Sequence, residues 1–150
     1  MTPSADRMPW PLRAAFLATD SLFLAYWTVS ALFQSGMIAV PHAWMYEGFD
    51  QPRVIAWNWS FLPLDLAFSL LGFAAVALGR RGDPTWRPLA LLSLAFTMAA
   101  GGMAVGYWLI LGEIEPSWLI PNLLLVLWPL AFLPGLICDI GRRGPARPAA

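Results

Sequence analysis

The chain has 150 residues, 59% hydrophobic and 12% charged, with a mean hydropathy of +0.61; a soluble domain needs more polar surface than this, so its solvent is read as a lipid bilayer. All nine basic residues are arginine and nine carboxylates balance them, which leaves no positive field to attract nucleic acid. Cys138 is the only cysteine and His42 the only histidine, which excludes a disulfide framework, a Cys-x-x-Cys redox pair and a metal centre of clustered Cys or His ligands; no cofactor is expected.

A bilayer core about 30 Å thick takes about 20 mostly apolar residues per helix, and four runs of that length are present. The first, 14–36, follows Arg7 and Arg13 and places Asp20, Trp27 and Gln34 on one face at seven-residue steps. Its Val29-Ser30-Ala31 triplet is similar to a signal-peptide cleavage site, but Asp20 interrupts the apolar run such a peptide requires, so the span is read as uncleaved. The connection from Pro41 to Arg53 carries Trp44, Met45, Tyr46 and Phe49 beside His42, Glu47 and Asp50, as expected of a segment in the headgroup region or capping the bundle.

The second span, 54–78, carries Asn58, Asp65, Ser69 and Gly72 at i, i+7, i+11 and i+14, one stripe down one face. Pro63 cannot donate to the carbonyl of Trp59, which predicts a kink beside the aspartate. The third span, 88–111, starts at Pro88 and sets Ser93, Thr97 and Gly101 at four-residue steps; Gly102 and Gly106 form a small-xxx-small pair expected to allow close helix approach. The fourth, 118–138, offers Asn122 above Pro129 and Pro134, and residues 141–150 read as a disordered tail. The expected fold is all-α: a single domain, residues 1–140, forming an antiparallel bundle of four transmembrane helices.

Eight arginines flank the spans on one side, against Arg53 alone on the other. The positive-inside bias therefore predicts that both termini are cytoplasmic. Trp44, Trp57, Trp108 and Trp118 lie near the predicted outer boundary, and Trp10 and Trp86 near the inner one, where interfacial anchors sit.

Two carboxylates fall inside the spans. An ionised Asp at a helix centre costs roughly 2.5 to 3.5 kcal/mol on insertion scales, so Asp20 and Asp65 should face the interior with a partner or carry a proton. A polar-lined cavity between the helices accommodates the stripes of all four, and its candidate ligand-binding residues are Asp65, Asp20, Asn58, Trp27, Trp59, Ser69, Thr97 and Asn122. Phe61 and Trp128 are further aromatic candidates. The competing reading makes Ser69, Ser93, Thr97 and Asn122 interhelical glue worth about 0.6 kcal/mol each and Asp20 a carboxylate near a helix start, reaching water or Arg13.

In the stretches Thr19-Asp20, Ala56-Trp57-Asn58-Trp59-Ser60-Phe61-Leu62-Pro63-Leu64-Asp65, Trp86-Arg87-Pro88-Leu89 and Trp118-Leu119-Ile120-Pro121-Asn122-Leu123, the chain resembles the YvaD-like family of small bacterial membrane proteins over residues 14–138. That resemblance implies four spans in a bacterial inner membrane and supplies no mechanism. A looser likeness is to the emopamil-binding-protein (EXPERA) superfamily, which bundles helices around intramembrane carboxylates; Asp20, the Trp57-to-Asp65 stretch and Trp86-Arg87 are similar in order. The catalytic His and Glu pattern of its isomerases is absent.

The favoured functional expectation is binding of a small lipophilic ligand, cationic in one version, or of a lipid, in a cavity lined by Asp20 and Asp65. The alternatives are a lipid-modifying enzyme with the carboxylates as acid and base, an accessory subunit of a larger membrane complex or homo-oligomer, and a small proton-coupled exporter. No catalytic residue is assignable from the sequence, and the lipid bilayer itself is an expected partner.

Overall fold

A computed structural model describes residues 6–45, 48–112, 114 and 116–143. Its helices are α1 (Trp10–Gln34), α2 (Pro52–Ser60), α3 (Leu62–Arg81), α4 (Trp86–Leu111), α5 (Pro116–Leu130) and α6 (Leu133–Arg143), with one 3₁₀ turn at His42–Trp44. Joined end to end, α2 with α3 and α5 with α6 make two spans, so four stretches are long and apolar enough to cross a membrane: Trp10–Gln34, Pro52–Arg81, Trp86–Leu111 and Pro116–Arg143. No strand occurs among the described residues.

Proline chemistry sets several boundaries. Pro11 and Pro52 occupy the first turns of α1 and α2, where a missing N–H leaves no bond unmade. Pro63 and Pro134 occupy the first turns of α3 and α6, so the second and fourth spans are interrupted rather than merely kinked. At the first break the amide of Phe61 turns back to the carbonyl of Asn58 (3.1 Å) before α3 resumes with Asp65 N–H to Phe61 O (2.9 Å). At the second, Ala131 and Phe132 donate to Trp128 and Pro129 (3.2 and 3.0 Å). Each break trades regular i→i−4 bonds for tighter i→i−3 bonds.

Two boundaries differ from expectation by more than three residues. α1 starts at Trp10, a turn earlier than the hydropathic run, because Pro9 and Pro11 preset the helical start. The fourth span continues as helix through Gly141 to Arg143 instead of ending at Cys138; arginines in a last turn complement the helix dipole. Of the expected disordered tail, residues 144–150 lie outside the described residues, as do Tyr46, Glu47, Glu113 and Glu115.

Around the bundle the spans follow chain order: α3 packs on α1 and α4, and α4 packs on α5 and α6. Among the described residues no Cα of α1 comes within 8 Å of any in α5, so the ring is a horseshoe open between the first and fourth spans. Lipid tails are as apolar as the side chains, so close packing rather than water exclusion holds such helices together. One core cluster gathers Met8, Leu12, Phe16, Val76, Trp86, Leu94 and Leu136 near the arginine-rich end. A second gathers Trp27, Phe61, Phe68, Ala100 and Ala104 toward the other end.

An ionic network closes the arginine-rich end of the horseshoe. The Arg87 side chain, 4% exposed, donates to Asp139 and lies 3.5 Å from Asp6. Arg143 donates to Asp139 (2.9 Å) and to Asp6. Trp86 Nε1 donates to the Asp6 carbonyl (2.7 Å), and the Arg87 guanidinium stands 4.7 Å from the Trp86 ring centroid. The chain before α1, the start of α4 and the end of α6 are thereby joined. Between α3 and α4, Asp83 accepts the Thr85 N–H (2.9 Å), which holds its carboxyl below the usual range.

Candidate functional site

The first and second spans meet in a register that repeats every seven residues. Trp27 Nε1 donates to Asp65 Oδ2 (3.0 Å), and seven residues toward the arginine-rich end Asp20 lies against Gly72. A Cβ built on Gly72 would stand 1.9 Å from Asp20 Oδ2, so the glycine is what makes room for that carboxylate. Antiparallel helices with matching seven-residue steps keep these pairs on one seam.

The two carboxylates differ in surroundings. Asp20 is 1% exposed, and neither of its oxygens has a hydrogen-bond partner among the described residues. Asp65 is 3% exposed; Oδ2 is held by Trp27 while Oδ1 is buried without a partner. Ser69, between them on α3, also has a buried and unpartnered hydroxyl. An ionised oxygen in this position requires a donor or a counter-charge.

A cavity of about 840 Å³ fills the mouth of the horseshoe. The first span contributes Thr19, Leu22, Phe23 and Tyr26, and the fourth Ser117, Trp118, Pro121, Asn122, Leu124, Leu125 and Trp128. Asn58, Phe61, Asp65, Ala100 and Ala104 form the floor, and Trp44 and Met45 reach it from the connection before α2. Leu22 and Leu124 line it and are 70% and 56% exposed, which places its mouth on the membrane-facing side between α1 and α5. At the arginine-rich end the Phe16 and Trp128 rings meet edge to face, 5.8 Å apart, and close it below.

Of the eight residues chosen from the sequence, Asp65, Asn58 and Asn122 line the cavity. Trp27 bonds Asp65 from behind, and Trp59 packs on Trp27 with centroids 5.3 Å apart. Asp20, Ser69 and Thr97 do not line it: Asp20 and Ser69 are enclosed, and Thr97 donates to the carbonyl of Ser93 one turn back (2.8 Å). Ser93 in turn donates to the Phe68 carbonyl (2.8 Å), joining the second and third spans as glue. His42 lies in the 3₁₀ turn against Phe49 (5.0 Å), outside the cavity lining.

Sequence reasoning missed Tyr26, Phe23 and Trp118 as wall residues. Tyr26 is 37% exposed, and its hydroxyl donates to Asn58 Oδ1 (2.8 Å). It immediately precedes Trp27, so both sides of one helix turn serve the site, which a single-face reading of α1 does not find. Trp118 belongs to an aromatic cluster with Trp57, Tyr107 and Trp108; its neighbourhood depends on the pairing of spans. The small-xxx-small expectation is corrected. A Cβ on Gly102 or Gly106 would meet no neighbouring helix within 4 Å, whereas one on Gly101 would stand 2.7 Å from the Asn122 carbonyl oxygen and 2.8 Å from Leu125 Cβ. The third and fourth spans meet at Gly101, one position round the helix.

Three comparisons bear on kinship. No solved structure matches the chain. An uncharacterized protein YvaD from Bacillus subtilis (strain 168) is 34% identical over 132 residues, which cover 88% of this chain and 95% of that protein. Neither that match nor the family match supports the likeness to the emopamil-binding-protein superfamily. The model of a family of unknown function (DUF5360) matches residues 12–143, nearly the whole four-span region, and the chain belongs to that family.

Proposed function

We propose that the chain binds a small lipophilic cation, an amphiphile with an ammonium group, which enters from the bilayer between the first and fourth spans. The observation that carries this reading is Asp65: a carboxylate fixed by Trp27 through one oxygen, with the other unpartnered, in the floor of a membrane-facing cavity of about 840 Å³. A cavity of that size suits a small molecule. Its walls of Tyr26, Phe61, Trp118 and Trp128 offer aromatic faces to an alkyl chain and to a cation. The ammonium supplies the counter-charge that Asp65 lacks, at a depth where water cannot.

The inward position of Asp65 also favours binding over an accessory-subunit role, for which a carboxylate turned toward lipid is the expected sign. The setting we assign is a bacterial inner membrane, crossed four times, with the arginine-rich end in the cytoplasm. Native mass spectrometry of the gently extracted protein tests the reading. A retained amine-bearing amphiphile in the wild type, lost in folded Asp65→Asn, is the expected result; equal retention in both proteins rejects it.

A further inference from the structure

Resting on that reading, we propose a second polar subsite in the same cavity: Asn58 and Asn122 hold a hydroxyl or amide group of the ligand about two helical turns from its ammonium. The ligand class is then a two-headed amphiphile, not a simple alkylamine.

Asn58 precedes Asp65 by seven residues on the second span, which at 1.5 Å per residue puts it about 10 Å farther from the arginine-rich end. It is 5% exposed, and its Oδ1 is already occupied by the Tyr26 hydroxyl. Its side-chain NH₂ is the group left to serve the cavity it lines. Asn122, on the facing fourth span, donates its NH₂ to the Trp118 carbonyl (2.9 Å), which leaves Oδ1 as the acceptor. One donor and one acceptor therefore border the same space, the pair that a hydroxyl or an amide satisfies at once. The lining nearer the arginine-rich end, Phe23, Leu125 and Trp128, is apolar apart from Thr19. Apart from Thr19 and the Trp128 Nε1–H, polarity lies at Asp65 and in the half of the cavity beyond it, with Phe61 between the two levels for an alkyl bridge.

The test pairs two ligands with two proteins. Nonylamine and 8-aminooctanol are near-isosteres that differ in a terminal CH₃ or OH, and the proteins are wild type and Asn122→Leu, reconstituted in nanodiscs. Binding is read by quenching of tryptophan fluorescence. Wild type should favour the aminoalcohol, relative to Asn122→Leu, by roughly tenfold, the upper range for one hydrogen bond. Asn122 is partly exposed and its side chain is bonded only to its own helix among the described residues, so this variant should fold. Asn58→Leu with Tyr26→Phe provides the second variant and should shift the ratio in the same direction. An unchanged ligand ratio, with nonylamine still bound and still dependent on Asp65, overturns the subsite and spares the ammonium site. Failure of wild type to bind either amine overturns both.

Discussion

Replacing Gly101 by alanine places a methyl carbon 2.7 Å from the carbonyl oxygen of Asn122 and 2.8 Å from Leu125 Cβ. Neither neighbour is the end of a flexible side chain, so α4 and α5 must part by about 0.7 Å to restore the 3.4 Å of ordinary contact. Separation on that scale forfeits a quarter to a half of each dispersion well along the seam, and overpacking of this kind costs about 1 to 3 kcal/mol. Gly102→Ala is the internal control: nothing lies within 4 Å of its added methyl, and alanine improves helix propensity by up to about 1 kcal/mol. The two variants have identical composition and adjacent positions, so a difference between them reports packing alone. Equilibrium unfolding in mixed micelles, followed by tryptophan fluorescence and helical circular dichroism, should rank Gly102→Ala at or above wild type and Gly101→Ala below it. A Gly101→Ala protein as stable as Gly102→Ala would refute the pairing of the third and fourth spans on which the cavity depends.

Gly72→Ala drives a methyl into the Asp20 carboxylate and should lower stability by about 1 to 3 kcal/mol; the same unfolding assay reads it, and a neutral outcome would remove Asp20 from the α1–α3 seam. Trp27→Phe keeps the ring and deletes the Nε1 donor, leaving Asp65 without its one bond at a loss of about 1 to 3 kcal/mol. An unfolding curve coincident with that of wild type counts against this hydrogen bond. At the arginine-rich end, Arg87→Met should destabilise more than Arg143→Met, because Arg87 is buried in the ionic network while Arg143 is 39% exposed and worth about 0 to 1 kcal/mol. Equal losses would mean that the network is not anchored on Arg87.

Hydropathy located all four spans because membrane crossing is encoded in local composition, and the seven-residue stripe Asn58–Asp65–Ser69–Gly72 named the buried face of the second span: all four are buried. What local pattern does not encode is which helices become neighbours. Gly101 and Gly102 differ by 100° around one helix, and only the position of the fourth span decides which of them packs. Asp20 and Asp65 looked like two walls of one cavity, yet Gly72 removes the side chain that would have kept Asp20 off α3, and the carboxylate sinks into the seam instead. The network of Asp6, Arg87, Asp139 and Arg143 joins residues up to 137 positions apart; from sequence its arginines served only as topological markers. Pro63 was legible as a disturbance, but its position in the first turn of α3 makes it a helix start.

On the proposed reading, Asp65 meets a cationic group in the cavity. Binding of nonylamine and of nonanol to wild-type and Asp65→Asn protein, measured in the same nanodiscs together with unfolding stability, tests it most directly. The asparagine keeps shape and hydrogen bonding but removes the charge. Wild type should bind the amine more tightly than the alcohol, and Asp65→Asn, still folded, should lose roughly 10- to 100-fold in amine affinity while the alcohol is little changed. Equal amine affinity in the two folded proteins would contradict it.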